Sequence, residues 1–427
     1  MNATLTPDAA LAAVSPHFGT TVLVLGLALL AGALVSGLAR RSLVSLTALF
    51  VVAGFALGHG GFRVLALSAR GGFVTDLATV ALIVILFRDG LEVEGEMLQS
   101  HWRVPLRKLL LAMPLTAVII AAAGHWLAGL SWTEGLLLGA LLSPTDPVLS
   151  SSVVTNPRVP RLVRHSLNLE SGLNDGLALP AVLVFAAALG AGHLVWWQFA
   201  LENLGFGFAV GIVVGLIAAR LVPGRSGLAA GIPPEQRALF GLGAACAAYG
   251  SAGLLPHGNG LIAVFVTAIT LGVRRPELRV YFERQGAVLV ELVKLGIFVV
   301  FGSLLTLGGL GSPGWGALAV VVTTLLIARP VAVFTALAGT GIDTATRAFM
   351  SWFGPKGVAT MTFSLLVLGD GLAHGARLFD LTALTVFCSI LVHGVTDHAG
   401  AEWLAARAQR AADVDGTPET GAGTVAQ

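Results

Sequence analysis

The chain has 427 residues, of which 56% are apolar and 11% charged, with a formal net charge of +2. A soluble domain carries about 25% charged residues, so this composition cannot cover a water-facing surface, and a soluble or a disordered chain is excluded. The small net charge gives no electrostatic case for nucleic acid, and two cysteines, Cys246 and Cys388, exclude a disulfide framework and a cysteine-based zinc or iron–sulfur centre.

A membrane-spanning helix needs about 20 mostly apolar residues. Thirteen stretches are predicted as spans: 19–39, 43–58, 73–91, 105–130, 133–154, 162–190, 195–219, 238–255, 258–273, 287–307, 316–339, 346–369 and 378–396. The expected fold class is therefore an all-α integral membrane protein of about 13 transmembrane helices. Residues 1–20 hold no Lys or Arg, so no cleaved signal peptide is expected. Alternate connections are rich in basic residues, among them Arg40, Arg41, Arg103, Arg107, Lys108, Arg158, Arg161 and Arg164, whereas the opposite connections carry Arg63, Arg70 and Arg377. By the positive-inside rule the N-terminus lies outside and the C-terminus in the cytoplasm, in a cell (plasma or inner) membrane. After about residue 400 the chain turns polar (DVDGTPETGAGTVAQ) and is expected to be a disordered tail. No G-x-x-x-x-G-K-[ST] loop occurs, which argues against a primary pump.

Charged residues inside spans cost about 2.5–3.5 kcal/mol each on insertion scales and mark ion paths. In chain order the first is Asp89, in LFRDGLEVEGE (86–96). It either reaches a central site from the side or belongs to an interfacial cluster with Arg88, Glu92, Glu94 and Glu96. Next, LLSPTDPVLSSSVV (141–154) brackets Thr145 and Asp146 between Pro144 and Pro147. Two prolines three apart remove backbone donors and open the helix, and irregular backbone at that depth is tolerated where it lines a wet cavity; a plain proline kink is the competing reading. NLESGLNDGLALP (168–180) follows. Glu170 and Asn174 share one helix face and Ser171 and Asp175 the adjacent one, a hard-oxygen set suited to a small hydrated cation or a proton. The alternative is that 162–175 is a cytoplasmic loop. Glu291 and Lys294 are i,i+3 and read as a simple pair. Arg329 stands alone in LLIARPVAV and needs an anion, for which Glu170 is the candidate; a snorkelling Arg near a helix end is the alternative. Finally SWFGPKGVATMTFSLLV (351–367) breaks an apolar helix with Gly354, Pro355 and Gly357 around Lys356. Two Gly/Pro-broken spans in corresponding halves point to inverted repeats with a binding site between them, and Asp146 and Lys356 are placed to neutralise the broken helix ends. The ten His show no metal-binding spacing and read as structural or interfacial.

TDP in one span, ESGLND in the next, a later intramembrane Arg and a G-x-[KR]-G break together resemble the sodium/proton antiporters, within them the Asn-Asp branch of the monovalent cation:proton antiporters. The similarity runs from about residue 75 to 395. It implies an inverted-repeat core beside a dimerisation domain: 19–91 and 195–309 for dimerisation, 105–190 and 316–398 for the core, and 399–427 as a short cytoplasmic tail. It implies Asp175 as the carrier of ion and proton, supported by Asn174, with Ser171 and Thr145 as further Na⁺ ligands. Asp146 matches the charged residue at the helix crossing, Asp89 an acidic position in the third helix of some relatives, Glu170 and Arg329 a structural ion pair, and Lys356 a basic residue in the second broken helix. The long cytoplasmic tail of the animal-type exchangers is not matched.

The reading is a secondary antiporter, not an enzyme, exchanging Na⁺ or Li⁺ for H⁺ at one buried Asp, electroneutral at 1:1. It needs no cofactor, and its partners are the bilayer, the two ions and a second copy of the chain. K⁺/H⁺ exchange and sodium-coupled organic-anion transport, with Arg329, Lys356 and helix N-termini holding a carboxylate, are the alternatives. An intramembrane enzyme built on Asp146 and Asp175 lacks a nucleophile or metal set. A continuous channel would not need one titrating carboxylate between two broken helices.

Overall fold

The computed structural model describes residues 46–65, 67–97, 102–146, 156–190, 196–222, 233–255, 258–311, 314–372 and 374–415, with isolated positions 19, 23, 26, 27, 30 and 153. Among these residues every regular element is helical. The principal helices are α1 (Leu46–Leu57), α2 (Gly72–Met97), α3 (Arg103–Ala128), α4 (Trp132–Leu142), α5 (Arg161–Gly190), α6 (Trp196–Leu221), α7 (Pro234–Gly253), α8 (Gly260–Arg274), α9 (Glu277–Leu304), α10 (Gly314–Ala336), α11 (Thr344–Trp352), α12 (Val358–Gly369) and α13 (Gly375–Asp415). Six of the described helices are long and apolar enough to cross a membrane, and shorter apolar helices stand among them. The predicted span 19–39 lies outside the described residues save for isolated positions. Each of the other predicted spans meets a helix, and the one at 346–369 is split into α11 and α12.

Local chemistry sets several boundaries. Ser131 and Glu134 close a capping box at the start of α4: Ser131 N–H donates to Glu134 Oε2 at 2.7 Å and Glu134 N–H to Ser131 Oγ at 3.3 Å. Asp343 accepts the Ala345 and Thr346 amides at 3.1 Å each to start α11, and hydrogen bonding, that of Thr346 foremost, holds its carboxyl below the usual carboxylate range. Two helices widen into π turns, α3 at Lys108–Ala112 and α10 at Thr323–Ala328. Each lies just before a proline, Pro114 and Pro330. A proline cannot donate to the carbonyl four residues back and its ring presses on it, so the helix admits an extra residue there.

Close packing follows small residues. Helices α1 and α9 cross so tightly that a Cβ on Gly58 would overlap the Ser303 backbone, and one on Gly302 the Val51 carbonyl. Around them Phe50, Val51, Ile297, Val300 and Phe301 join Met361 of α12 and Val386 of α13 in one buried cluster. Helices α6 and α8 pack on each other and α8 on α2, while α3, α4 and α5 pack in sequence and α10 lies against α3.

The last helix does not end near residue 396. It continues to Asp415, because Ala401 and Leu404 are buried with Val159, Val163, Phe349 and Phe353. Arg158 Nη2 donates to Glu402 Oε1 at 2.5 Å and Arg407 Nη2 to Asp343 Oδ1 at 3.4 Å. The disordered tail expected after about residue 400 is thus helical to 415; residues 416–427 lie outside the described residues. At the opposite end His374 pairs with Glu134, and Arg377 donates to the Ala128 carbonyl.

Gly302→Val forces a branched side chain into the α1–α9 crossing and should cost about 1–3 kcal/mol, the usual penalty of overpacking. Gly250→Ala, inside α7 where a Cβ meets nothing within 4 Å, should not destabilise and should gain up to about 1 kcal/mol from helix propensity. Thermal unfolding of the two purified variants checks the contrast.

Candidate functional site

Two interrupted segments meet in the interior. Helix α4 stops at Leu142, and Ser143–Asp146 run on without helical bonds; the rest of that predicted span, 147–155, lies outside the described residues except Val153. Between α11 and α12 the chain is non-helical over 353–357. The two stretches bond to each other: Asp146 N–H donates to the Pro355 carbonyl at 2.9 Å, and the Lys356 ammonium to the Pro144 carbonyl at 3.4 Å. The Asp146 carboxylate accepts the Val358 amide at 3.3 Å, at the N-terminus of α12. So the cation sits at the carbonyl end of one helix and the anion at the amide end of another, as the macrodipoles favour. Gly357 permits this approach, since a Cβ there would overlap the Asp146 side chain. A plain proline kink is ruled out by these bonds.

Helix α5 runs unbroken from Arg161 to Gly190, so 162–175 is not a loop. It brings Glu170, Ser171, Asn174 and Asp175 into the interior, all buried. Asn174 Nδ2 donates to the Thr145 carbonyl at 2.6 Å and lies 3.2 Å from Thr145 Oγ1, which fastens α5 to the first interruption. Asp175 follows at the next position, within electrostatic reach of Asp89, Asp146, Arg88 and Lys294. Asn174 Oδ1 and Asp89 Oδ2 are buried oxygens with no hydrogen-bond partner among the described residues.

Asp89 is 1% exposed and belongs to the interior, not to an interface. Arg88 Nε and Nη2 donate to its Oδ1 at 2.8 and 2.6 Å, and Gly172 of α5 faces the Asp89 carbonyl and the Glu92 carboxylate. The side chains of Glu94 and Glu96 lie outside the described set. Lys294 is buried on α9 within electrostatic reach of Asp146 and Asp89 as well as of the exposed Glu291, so the pair expected of Glu291 and Lys294 is one part of the lysine's surroundings.

Glu170 takes Arg329 in a two-point contact, Nη1 to Oε1 at 2.7 Å and Nη2 to Oε2 at 3.1 Å. Arg329 is buried and does not snorkel; Nη2 also reaches the Met350 and Phe353 carbonyls at 3.4 and 3.3 Å, at the end of α11. Gly354 lies flat against the guanidinium, where a Cβ would overlap it. A third member went unread in the sequence. Lys108, assigned to a cytoplasmic connection, is fully buried and pairs with Glu170. Its flanking Arg103 and Arg107 masked it; the signal was the apolar run LLLAMPL directly after it. Ser389 was missed too: its hydroxyl accepts the Lys356 amide at 2.9 Å.

The assembly offers carboxylate, amide and hydroxyl oxygens around one helix-to-break contact; Lys108 and Arg329 are engaged by Glu170, Lys356 by a helix end and Arg88 by Asp89, while Lys294 stays within electrostatic reach of Asp175. Such a set binds a hard cation or a proton.

The family model described as "Sodium/hydrogen exchanger, transmembrane" matches residues 25–399. The K(+)/H(+) antiporter NhaP of Alkalimonas amylolytica is 25% identical over 392 residues, 90% of this chain and 67% of that protein. The K(+)/H(+) antiporter NhaP2 of Shewanella sp. (strain MR-4) is 24% identical over 377 residues, 85% of this chain and 63% of its own length. The chain thus spans about two thirds of these relatives. Among solved structures, the sodium proton antiporter MjNhaP1 of Methanocaldococcus jannaschii at pH 8 superposes with a TM-score of 0.77 over 92% of this chain and 99% of that one, at 20% identity, a likeness of fold.

Removing Glu170 leaves two buried cations facing each other. Glu170→Gln should destabilise by about 3–5 kcal/mol, the cost of breaking a buried pair. Lys108→Met, which leaves the Arg329 contact whole, should cost clearly less. Thermal melts of the two variants in the same detergent check the order.

Proposed function

Because the chain belongs to the sodium/hydrogen exchanger family, membrane transporters and not enzymes, we propose that it is a secondary antiporter exchanging Na⁺ or Li⁺ for H⁺ at Asp175. The observation that carries this reading is Asp175 buried directly after Asn174, itself bonded to Thr145 at the meeting of two interrupted segments. A carboxylate binds a cation or a proton, not both, and each ligand favours its own protonation state. Competition then couples the two fluxes without a separate gate. A loaded site is closer to neutral and crosses the apolar barrier, while the empty charged site resists it.

In this reading Asp175, Ser171 and Thr145 hold the cation, Asn174 fixes Thr145, Asp146 and Lys356 neutralise the crossing, Asp89 adds an acidic group from α2, and Glu170 with Arg329 is structural. One titrating carboxylate beside a neutral amide gives 1:1, electroneutral exchange. The core, 105–190 and 316–398, moves against a dimerisation domain of 19–91 and 195–309 in a homodimer. The two interrupted segments stand in corresponding halves of an inverted repeat of about thirteen spans. The N-terminus is outside the cell membrane and the C-terminus inside, consistent with Arg103, Arg158 and Arg161 at one end of the bundle.

K⁺ is the second reading for the cation. It is favoured by the printed names of the two relatives that match over most of the chain. Hard oxygens alone do not separate the two ions.

Proteoliposomes carrying a pH gradient should dissipate it on addition of Na⁺ or Li⁺, at the same rate with the membrane potential clamped or free. Asp175→Asn should abolish the response while melting like the wild type. Wild-type exchange in that variant would refute the assignment, and a response to K⁺ greater than to Na⁺ would move the second reading to the front.

A further inference from the structure

Glycines at the helix crossings separate contacts that are locked from one boundary that is not. A Cβ on Gly90 of α2 would overlap Ala268 of α8 and press on the Phe265 carbonyl, and one on Gly211 of α6 would overlap Val266 and press on the Ala263 carbonyl. Gly135 and Gly139 of α4 likewise lie on the Ala121 and Ala117 carbonyls of α3, and Gly316 of α10 on the Leu127 carbonyl. In these crossings backbone meets backbone, and neither helix slides without unpacking. Helix α5 faces α2 and α8 differently. A Cβ on Gly172 would first meet Glu92 Oε2, at 3.3 Å, and one on Gly176 would overlap the tip of the Phe265 ring. Here the ends of side chains come first.

Phe265 is buried, and its own backbone is held against Gly90. Its ring sits at the level of Gly176, one residue past Asp175. Beyond the ring, away from Gly172, Leu82 and Leu86 of α2, Leu179 of α5 and Leu261 of α8 join it in one buried apolar cluster. On the Gly172 side stand Arg88 and Glu92, whose side chains are 23% and 19% exposed. The ring thus closes Asp175 on one side, and charge and water meet it on the other. Gly172 and Gly176 are one turn apart on one face of α5, about 6 Å along its axis, and Asp175 lies between them in height. The next positions on this stripe, Asn168 and Pro180, carry side chains, so α5 offers the ring two seats. A shift of α5 by one turn past α8 brings Gly172 under the ring and leaves Asp175 on its other side. Packed helices move in such discrete steps because intermediate positions clash.

We propose that Phe265 divides the two access routes to Asp175, and that access changes sides when α5 moves by one turn and the ring passes from the Gly176 seat to the Gly172 seat. The proposal rests on the antiport reading, in which α5 belongs to the moving core and α8 to the dimerisation domain. It adds the residue that separates the two sides and the length of the stroke. An apolar ring held from behind does not let a hydrated cation pass, so the ion crosses with Asp175 and not around it. The Glu92 carboxylate, which borders the empty seat, is partly exposed and turns aside into water.

The test adds single methyl groups to the full chain in lipid nanodiscs. Gly176→Ala puts a Cβ against the ring in the arrangement described, and Gly172→Ala puts one against it in the shifted arrangement. Both raise helix propensity, and each disfavours one arrangement by overpacking. The reporter is Leu179→Cys in a chain with Cys246→Ser and Cys388→Ser. Position 179 is 1% exposed, behind the ring, and meets a water-soluble thiol reagent when the ring has moved to Gly172. Gly172→Ala should slow this labelling about tenfold, and Gly176→Ala should speed it by a similar factor, as overpacking shifts the two populations. In proteoliposomes Gly172→Ala should lower the maximal exchange rate in the same proportion, and adding Phe265→Leu, which shortens the ring side chain, should restore most of the loss. Opposite labelling shifts support the proposal, and any other pattern in folded variants overturns it. If Gly176→Ala does not fold, Gly172→Ala decides alone, because in the arrangement described its Cβ meets the flexible end of Glu92; labelling at the parental rate then overturns the proposal. A wild type without cation/proton exchange refutes the antiport reading, yet opposite labelling shifts in the two variants still support the passage of α5 beneath Phe265.

Discussion

Every unpaired amide and carbonyl in an apolar surrounding costs several kcal/mol, and this fold places two non-helical stretches in its interior. It meets the constraint by making each stretch the partner of the other. The Asp146 amide and Pro355 carbonyl bond directly, Lys356 answers the carbonyl that Leu142 and its neighbours leave open at Pro144, and the Asp146 carboxylate answers the first amide of α12. Gly354 and Gly357 serve the same end, because Arg329 and Asp146 occupy the volumes their side chains would fill. The polar groups that enable the interruption therefore also fix the position of Thr145, and Thr145 fixes Asn174.

The Glu170 cluster lies one turn along α5 from that contact. One carboxylate stands between two cations, and each cation leaves a helix beside a π turn. The extra residue rotates the helix face, so that Lys108 and Arg329 reach the same acid from α3 and α10. Buried ion pairs are weak contributors to stability because of desolvation. Their value here is register: Arg329 ties Glu170 to the carbonyls ending α11, joining α5, α10 and α11 at one point.

Much of this was legible from residue types. Pro144, Gly354 and Pro355 announce the broken helices because each stands beside a second proline or a glycine, whereas the lone Pro180 is carried inside an unbroken α5; the i,i+4 spacing of Glu170 and Asn174 fixes their common face. The partnership of Glu170 with Arg329 followed from the cost of a lone buried charge. Lys108 was not legible, because positive-inside counting treats every basic residue near a helix start alike, and only its depth distinguishes it from Arg103 and Arg107. Ser389 was not legible either, because what it does depends on where Lys356 arrives from another part of the chain. The continuation of α13 to Asp415 was hidden because it rests on Ala401 and Leu404 meeting Phe349 and Phe353, a long-range contact.

Helix α13 has a mechanical consequence. At 1.5 Å per residue its 41 residues make a rod about 60 Å long. It is fastened at one end to the start of α4 and at the other to the connections carrying Arg158 and Asp343. A rod so held cannot bend freely between its anchors, so its projecting end copies the tilt of the bundle around it. A fluorophore or spin label joined in helical register beyond Asp415 would swing through an arc magnified by the length of the rod. Domain motion could then be followed from the aqueous side without touching any residue of the interior.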